Sequence, residues 1–144
     1  MRDDALHAAF RATLYHFDSP AGELRLKVDV RNPLLASLLN SRGVHSVAAL
    51  TAFNPQGRRR DETANKLAQI RLHNDLQAAH YELLPGRNED AAEEWVEESV
   101  LVLGITLTDA HALATRYDQL AFLWSEAATA TPRLVFTAPP PCAT

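Results

Sequence analysis

Cysteine is nearly absent from this 144-residue chain, and the only one, Cys142, stands beside a run of prolines near the end. That excludes an internal disulfide framework and a cysteine-rich zinc site, and it fits a reducing compartment. Long apolar runs are missing as well. The most hydrophobic window, Val100 to Leu107, is far shorter than a bilayer span. The opening stretch MRDDALHAAFRA carries two acids and no long apolar segment, so neither a signal peptide nor a transit peptide is expected. These features together predict a cytoplasmic protein with no membrane partner.

The short motifs of common chemistries are also lacking. No glycine-rich loop ends in Gly-Lys-Ser/Thr, so there is no phosphate-cradling P-loop. Ser99 sits in no Gly-x-Ser-x-Gly elbow, and nothing near it in sequence marks it as a nucleophile. The histidines at 7, 16, 45, 73, 80 and 111 form no His-x-x-His, His-x-x-x-His or His-Glu-x-x-His pattern. No cofactor and no metal are expected. Excess positive charge is lacking too. A formal net charge of −4 argues against broad binding to nucleic acid. The exception is Arg58-Arg59-Arg60, which Asp61 and Glu62 follow directly, making a small basic knob and not a basic face.

What is present is material for a core. Apolar residues make up 47% of the chain, which predicts a packed globular domain. A chain of this length is one ordinary domain, expected over 1–137, with 138–144 as a loose proline-rich tail. Residues 3–10 pattern as a short amphipathic helix. ATLYHF and ELRLKVDV, joined by Asp18-Ser19-Pro20-Ala21-Gly22, predict an antiparallel hairpin, because Leu24, Leu26, Val28 and Val30 alternate with polar residues.

Asn32-Pro33 reads as a cap and first turn of a helix that Gly43 terminates. HSVAALTAF is apolar on both faces, Val47, Ala49 and Thr51 on one and Ala48, Leu50 and Ala52 on the other, which predicts an inner strand. A long helix over 61–79 carries the stripe Ala64, Leu67, Ala68, Leu72, Leu76 and Ala79, with Arg71 falling inside it. HYELLPG predicts a strand ended by Pro85-Gly86, and RNEDAAEEWVEE an acidic surface loop. SVLVLGITL predicts a central strand, followed by a helix with Thr108 as its cap and Asp109 at its positive end. Two closing strands fall in LAFLWSE and RLVFT. The fold class is α/β or α+β, one mixed sheet of about six strands with three to four packed helices.

Several of these segments carry a resemblance. TAFNPQG followed by a helix containing Asn65, then WVEESVLVLGI, then ALATRYDQLAFLW, resembles the bacterial domain of unknown function 3293 family from about residue 8 to 137. Thr51, Ala52, Phe53, Asn54 and Pro55 match a Thr-Ala-aromatic-Asn-Pro motif, and Asn65 matches a helical asparagine. Trp95, Glu97 or Glu98, and Ser99 match a Trp-x-Glu-x-Ser motif. Tyr117-Asp118-Gln119 stands where a Phe-Gly-Gln-like segment is usual, so Asp118 replaces a glycine. Gly57 and the arginines replace a common serine. The resemblance implies a shared fold and shared positions but no established activity.

Asn54-Pro55 follows a strand end, where loops of layered α/β folds often supply ligand contacts. The same residues would equally make an Asx-type turn stiffened by proline, with Asp61 capping the helix. If 97–99 are extended, Glu97 and Ser99 share one face and Glu98 takes the other. The candidate ligand-binding set is Thr51, Asn54, Asn65, Trp95, Glu98, Ser99 and Gln119, with Arg58, Arg59 and Arg60 as a candidate anion site. The function these residues predict is noncatalytic recognition of a small polar or anionic ligand or of a partner protein. Two alternatives stand beside it: an enzyme using a polar cleft around Asn54 and Glu98, and a structural or protein-interaction module whose polar residues serve only turns.

Overall fold

The computed structural model describes residues 8–90 and 96–138. A helical segment at 8–12 leads into β1 (Leu14–Ser19) and β2 (Gly22–Leu26), then α1 (Pro33–Arg42) and β3 (Ser46–Leu50). A 3₁₀ turn (Pro55–Gly57) and α2 (Glu62–Ala78) follow. The chain continues through β4 (Glu82–Glu89), β5 (Val96–Leu103), α3 (Leu107–Arg116), β6 (Ala121–Glu126) and β7 (Arg133–Phe136). The seven strands form one sheet in the order β2-β1-β4-β5-β3-β6-β7, and every neighbouring pair is antiparallel. The class is therefore α+β. Helix-bearing connections join strands that are not neighbours, so no parallel pair arises.

Sequence and structure agree most closely at β3, whose five residues are all buried. Val47 and Ala49 pack toward α1 in a core built on Phe17, Leu35, Leu39 and Leu101. Ala48 and Leu50 pack toward α2 and α3 in a second core with Leu72, Leu76, Val100 and Ile105. The sheet thus has apolar cover on both faces, and β3 is an inner strand between β5 and β6. Asn32 caps α1 by accepting a hydrogen bond from Leu35 N at 2.9 Å, and Gly43 ends the helix with φ at 65°, a conformation suited to glycine. Among the described residues no helix is long and apolar enough to cross a membrane.

Four local expectations are corrected. β4 does not stop at Pro85-Gly86 but continues to Glu89, and its ladder with β5 takes in residues 87–89 and 96–98 of the expected acidic loop. Proline is tolerated because the β1 ladder ends at Gly86, so Pro85 is paired only toward β5. Helix α3 is capped by Thr106, which accepts from Asp109 N at 3.1 Å, and not by Thr108.

The inward stripe of α2 is Asn65, Gln69, Leu72 and Leu76, whereas Leu67 is 53% exposed and Ala79 also faces out. Two polar side chains turn inward because they bond the loop after β3. Arg71, expected in that stripe, is exposed. The helix expected at 3–10 lies partly outside the described residues, as do Trp95, Cys142 and all but the first residue of the expected tail.

Gly86 marks the closest approach inside the sheet. A Cβ there would lie 2.0 Å from the His16 carbonyl oxygen and 2.4 Å from the Phe17 ring. Backbone cannot yield as a flexible side chain does, so Gly86→Ala should destabilise the fold by about 3 kcal/mol or more. Urea unfolding of the variant measures this, and a loss under about 1 kcal/mol would show that β1 and β4 can separate locally at little cost.

Candidate functional site

Beyond Leu50 the chain leaves the sheet, and side chains from α2 satisfy the backbone it exposes. Ala52 N donates to Gln69 Oε1 at 2.8 Å. Asn54 N donates to Asn65 Oδ1 at 2.8 Å, while Asn65 Nδ2 returns a bond of 2.8 Å to Asn54 Oδ1. Arg60 N also donates to Asn54 Oδ1, at 3.0 Å. On its other side Asn54 Nδ2 donates to Glu97 Oε2 at 2.9 Å. Asn54 and Asn65 are 8% and 2% exposed, so these bonds form where water competes little.

The loop is bent by three residues in the left-handed region: Asn54 (φ 46°), Gln56 (φ 60°) and Gly57 (φ 70°). Asparagine and glycine accept that conformation readily, glutamine less so. Gln56 is held by a 2.7 Å bond from its N–H to the Asp118 carbonyl. Asp118 is itself left-handed, at φ 54°, in the position where the resembling family usually carries glycine.

The basic knob resolves into unlike parts. Arg58 and Arg59 are exposed, but the Arg60 guanidinium folds back over the loop. Its Nε donates to Asn65 Oδ1 at 3.1 Å, and its Nη2 to the carbonyls of Ala52 and Ala64 at 3.3 Å each. The start of α2 is capped by the Asp61 carboxylate, which accepts from Ala64 N at 3.2 Å. A negative group thus already occupies the helix's positive end.

Beside this loop, on the α1 side of the sheet, lies a cavity of about 280 Å³. It exists because Ala9, Ala49 and Ala121 stand where larger residues would fill the space, leaving Leu123, Leu134 and Tyr15 as an apolar floor. Thr51, Asn54 and Gln119 form part of its polar end, with Glu97, Asn88, Glu89 and Asp90. Gln119 Nε2 donates to the Phe53 carbonyl at 3.0 Å, fixing the amide, and its Oε1 accepts no hydrogen bond among the described residues. Thr51 Oγ1 donates to the Glu98 carbonyl at 2.6 Å and accepts from Phe53 N at 3.1 Å. Burial holds the Tyr15 hydroxyl far above the ordinary tyrosine range, and the nearby negative Glu97 adds to the effect.

Glu89 is held below the usual carboxylate range, chiefly by its hydrogen bond with Arg87. It also lies 3.4 Å from His16 Nε2, whose ring bonds Glu23 through Nδ1 at 2.7 Å. Among the described residues no three His, Cys, Asp or Glu are grouped to hold a metal.

Of the residues singled out in the sequence, the cavity gathers Thr51, Asn54 and Gln119. Asn65 stands behind Asn54 and supports it. Ser99 is buried and donates to the Leu50 carbonyl at 3.1 Å. Glu98 points to the opposite face, 3.9 Å from Lys66 of α2, while its neighbour Glu97 reaches the cavity. Trp95 lies outside the described residues. Sequence reasoning passed over Glu97, although strand alternation already paired it with Ser99. It missed Gln69 and Tyr15 because each reads as an ordinary element residue. A second, shallower cleft on the α2 and α3 side is lined by Arg60, Arg71 and Arg116 together with Asp75 and Asp118.

The chain matches the model of the family described as "Protein of unknown function (DUF3293)" over residues 50–122, half of its length, and it belongs to that family. The matched span runs from the end of β3 to the start of β6, so it holds Thr51, Asn54, Asn65, Glu97 and Gln119. No curated protein and no solved structure gives a significant match.

Two substitutions test this account of the loop. Asn65→Ala leaves the buried Asn54 N–H without a partner and should cost roughly 2–3 kcal/mol in chemical unfolding. A loss under about 0.5 kcal/mol would mean that the amide pair holds nothing. Asp118→Gly relieves a left-handed aspartate and should leave stability unchanged or raise it by up to ~1 kcal/mol, whereas Asp118→Val should lower it. Thermal melts of the two variants give the comparison.

Proposed function

We propose that the protein is a noncatalytic recognition domain that takes a small molecule into the cavity beside Thr51, Asn54 and Gln119. The observation that carries this reading is Asn88. It lines the cavity, and its side-chain oxygen Oδ1 is buried with no hydrogen-bond partner among the described residues. Buried acceptors are normally satisfied, and a ligand donor would complete this one. An apolar floor with a few convergent polar groups is the usual form of a small-molecule site, and the volume lies at the small end of the range for such sites.

Binding is favoured over turnover by how the polar groups are already engaged. The Thr51 and Ser99 hydroxyls both donate to backbone carbonyls, and neither is bonded to a side-chain base. Tyr15 stays protonated across the neutral range. The catalytic alternative built on Asn54 with Glu98 gains no support, since Glu98 faces α2.

The test is a fragment screen by NMR on the intact protein. Hits should shift the amides of Ala49, Thr51, Gln119 and Leu134 together and saturably. Ala49→Leu, which places a larger side chain into the cavity, should abolish those shifts while leaving the rest of the spectrum intact. Fragments that bind only elsewhere, or bind Ala49→Leu equally well, would overturn the proposal.

A further inference from the structure

At the second cleft, on the α2 and α3 side of the sheet, three separate elements each bring one arginine to the same hollow of about 480 Å³. Arg60 comes from the loop after β3, Arg71 from α2 and Arg116 from the last turn of α3. Their charges are answered unequally. Arg116 Nη1 lies 3.3 Å from Asp75 Oδ2, an oxygen that also accepts from the Tyr117 hydroxyl at 2.6 Å. Arg60 bonds only neutral acceptors, the Asn65 amide oxygen and the Ala52 and Ala64 carbonyls, and its Nη1 donates to nothing among the described residues. Arg71 makes no hydrogen bond or ion pair among the described residues, although it lines the cleft.

We infer that this cleft binds the phosphate group of a small phosphorylated molecule, with the Arg60 and Arg71 guanidiniums as its anchors. Arg60 carries most of the argument. Bonds from its Nε and Nη2 fix the plane of the guanidinium before any ligand arrives, so the remaining donors are in place at little entropic cost. Held by neutral oxygens, it keeps its charge for a partner from outside. A phosphate monoester brings about two negative charges at neutral pH and three acceptor oxygens, enough to answer both guanidiniums, whereas a carboxylate brings a single charge. Asp118 also lines the cleft and opposes an anion. Even so, three arginines against two aspartates leave the cleft net positive on a chain whose formal charge is −4. This cleft and the cavity beside Thr51 lie on opposite sides of the sheet, so the inference does not depend on the function proposed above.

Phenyl phosphate, benzoate and benzyl alcohol, titrated by NMR into the intact protein at about pH 7.5 in ~150 mM salt, test the inference. Phenyl phosphate should shift the amides of Ala68, Arg71, Arg116 and Tyr117 together and saturably. It should bind at least ~10-fold more tightly than benzoate, and benzyl alcohol should leave those amides in place. Arg71 is exposed and bonds nothing in the fold, so Arg71→Gln should weaken phenyl phosphate ~5-fold or more at an unchanged melting temperature. Asp118→Asn removes the opposing charge and should tighten it several-fold. Arg58→Gln, at an exposed arginine outside the cleft, should leave binding unchanged. Benzoate bound as tightly as phenyl phosphate overturns the phosphate assignment. Equal losses from Arg58→Gln and Arg71→Gln reduce the effect to diffuse surface charge and overturn the site. Shifts confined to Ala49 and Leu134 place the anion in the cavity and overturn it too, as does the absence of saturable shifts at ~10 mM phenyl phosphate.

Discussion

Two asparagine amides facing each other hold the loop that follows β3. Asn54 and Asn65 exchange a backbone-to-side-chain and a side-chain-to-side-chain bond, each of 2.8 Å. Asn54 then reaches β5 through Glu97, and Asn65 reaches Arg60. One amide pair thereby fixes the end of β3, the first turn of α2 and the start of β5 relative to one another. Each bond is modest in net terms, but breaking the pair would strand buried donors and acceptors, and that cost keeps the loop single-valued. A loop with three left-handed residues in four has little intrinsic preference for its shape. Its shape is imposed from α2, which is why that helix turns Asn65 and Gln69 inward and leaves Leu67 in solvent.

The choice between the turn role and the ligand role of Asn54 now has a physical form. The oxygen of its side chain accepts two protein hydrogen bonds, so the residue is structural first. It borders the cavity because the loop it holds forms one wall. Gln119 is the converse case. Its nitrogen ties Phe53 in place, and its oxygen accepts no hydrogen bond among the described residues. The two amides, far apart in sequence, divide the work: one builds the wall and the other faces inward from it.

Much of this was legible in the chain, and the parts that were not share a cause. The β1–β2 hairpin, the Asn32 cap and the two-faced β3 follow from alternation and capping, which are local. The continuation of β4 through Pro85-Gly86 was not legible, because proline is acceptable there only where the β1 ladder stops, a fact about a strand seventy residues away. The buried face of α2 was misjudged because periodicity counts apolar residues, and here two amides take inward positions to meet backbone groups of another segment. Choosing Glu98 over Glu97 was a parity question with the answer already in hand: Leu101 and Leu103 pack toward α1, and Glu97 shares their side. The cavity itself could not be read, since an alanine in a strand looks the same whether a neighbour fills the space before it or not.

The position of β3 has a bearing on how the protein comes into being. It pairs only with β5 and β6, and both are synthesised after it. During translation β3 therefore emerges as an apolar segment with no hydrogen-bonding neighbour, and the loop at its end has no frame until residue 126 has been made. The first hairpin can form as it leaves the ribosome, but the loop after β3 cannot. The loop and the cavity beside it thus take shape in a single late step, when the C-terminal strands close around β3.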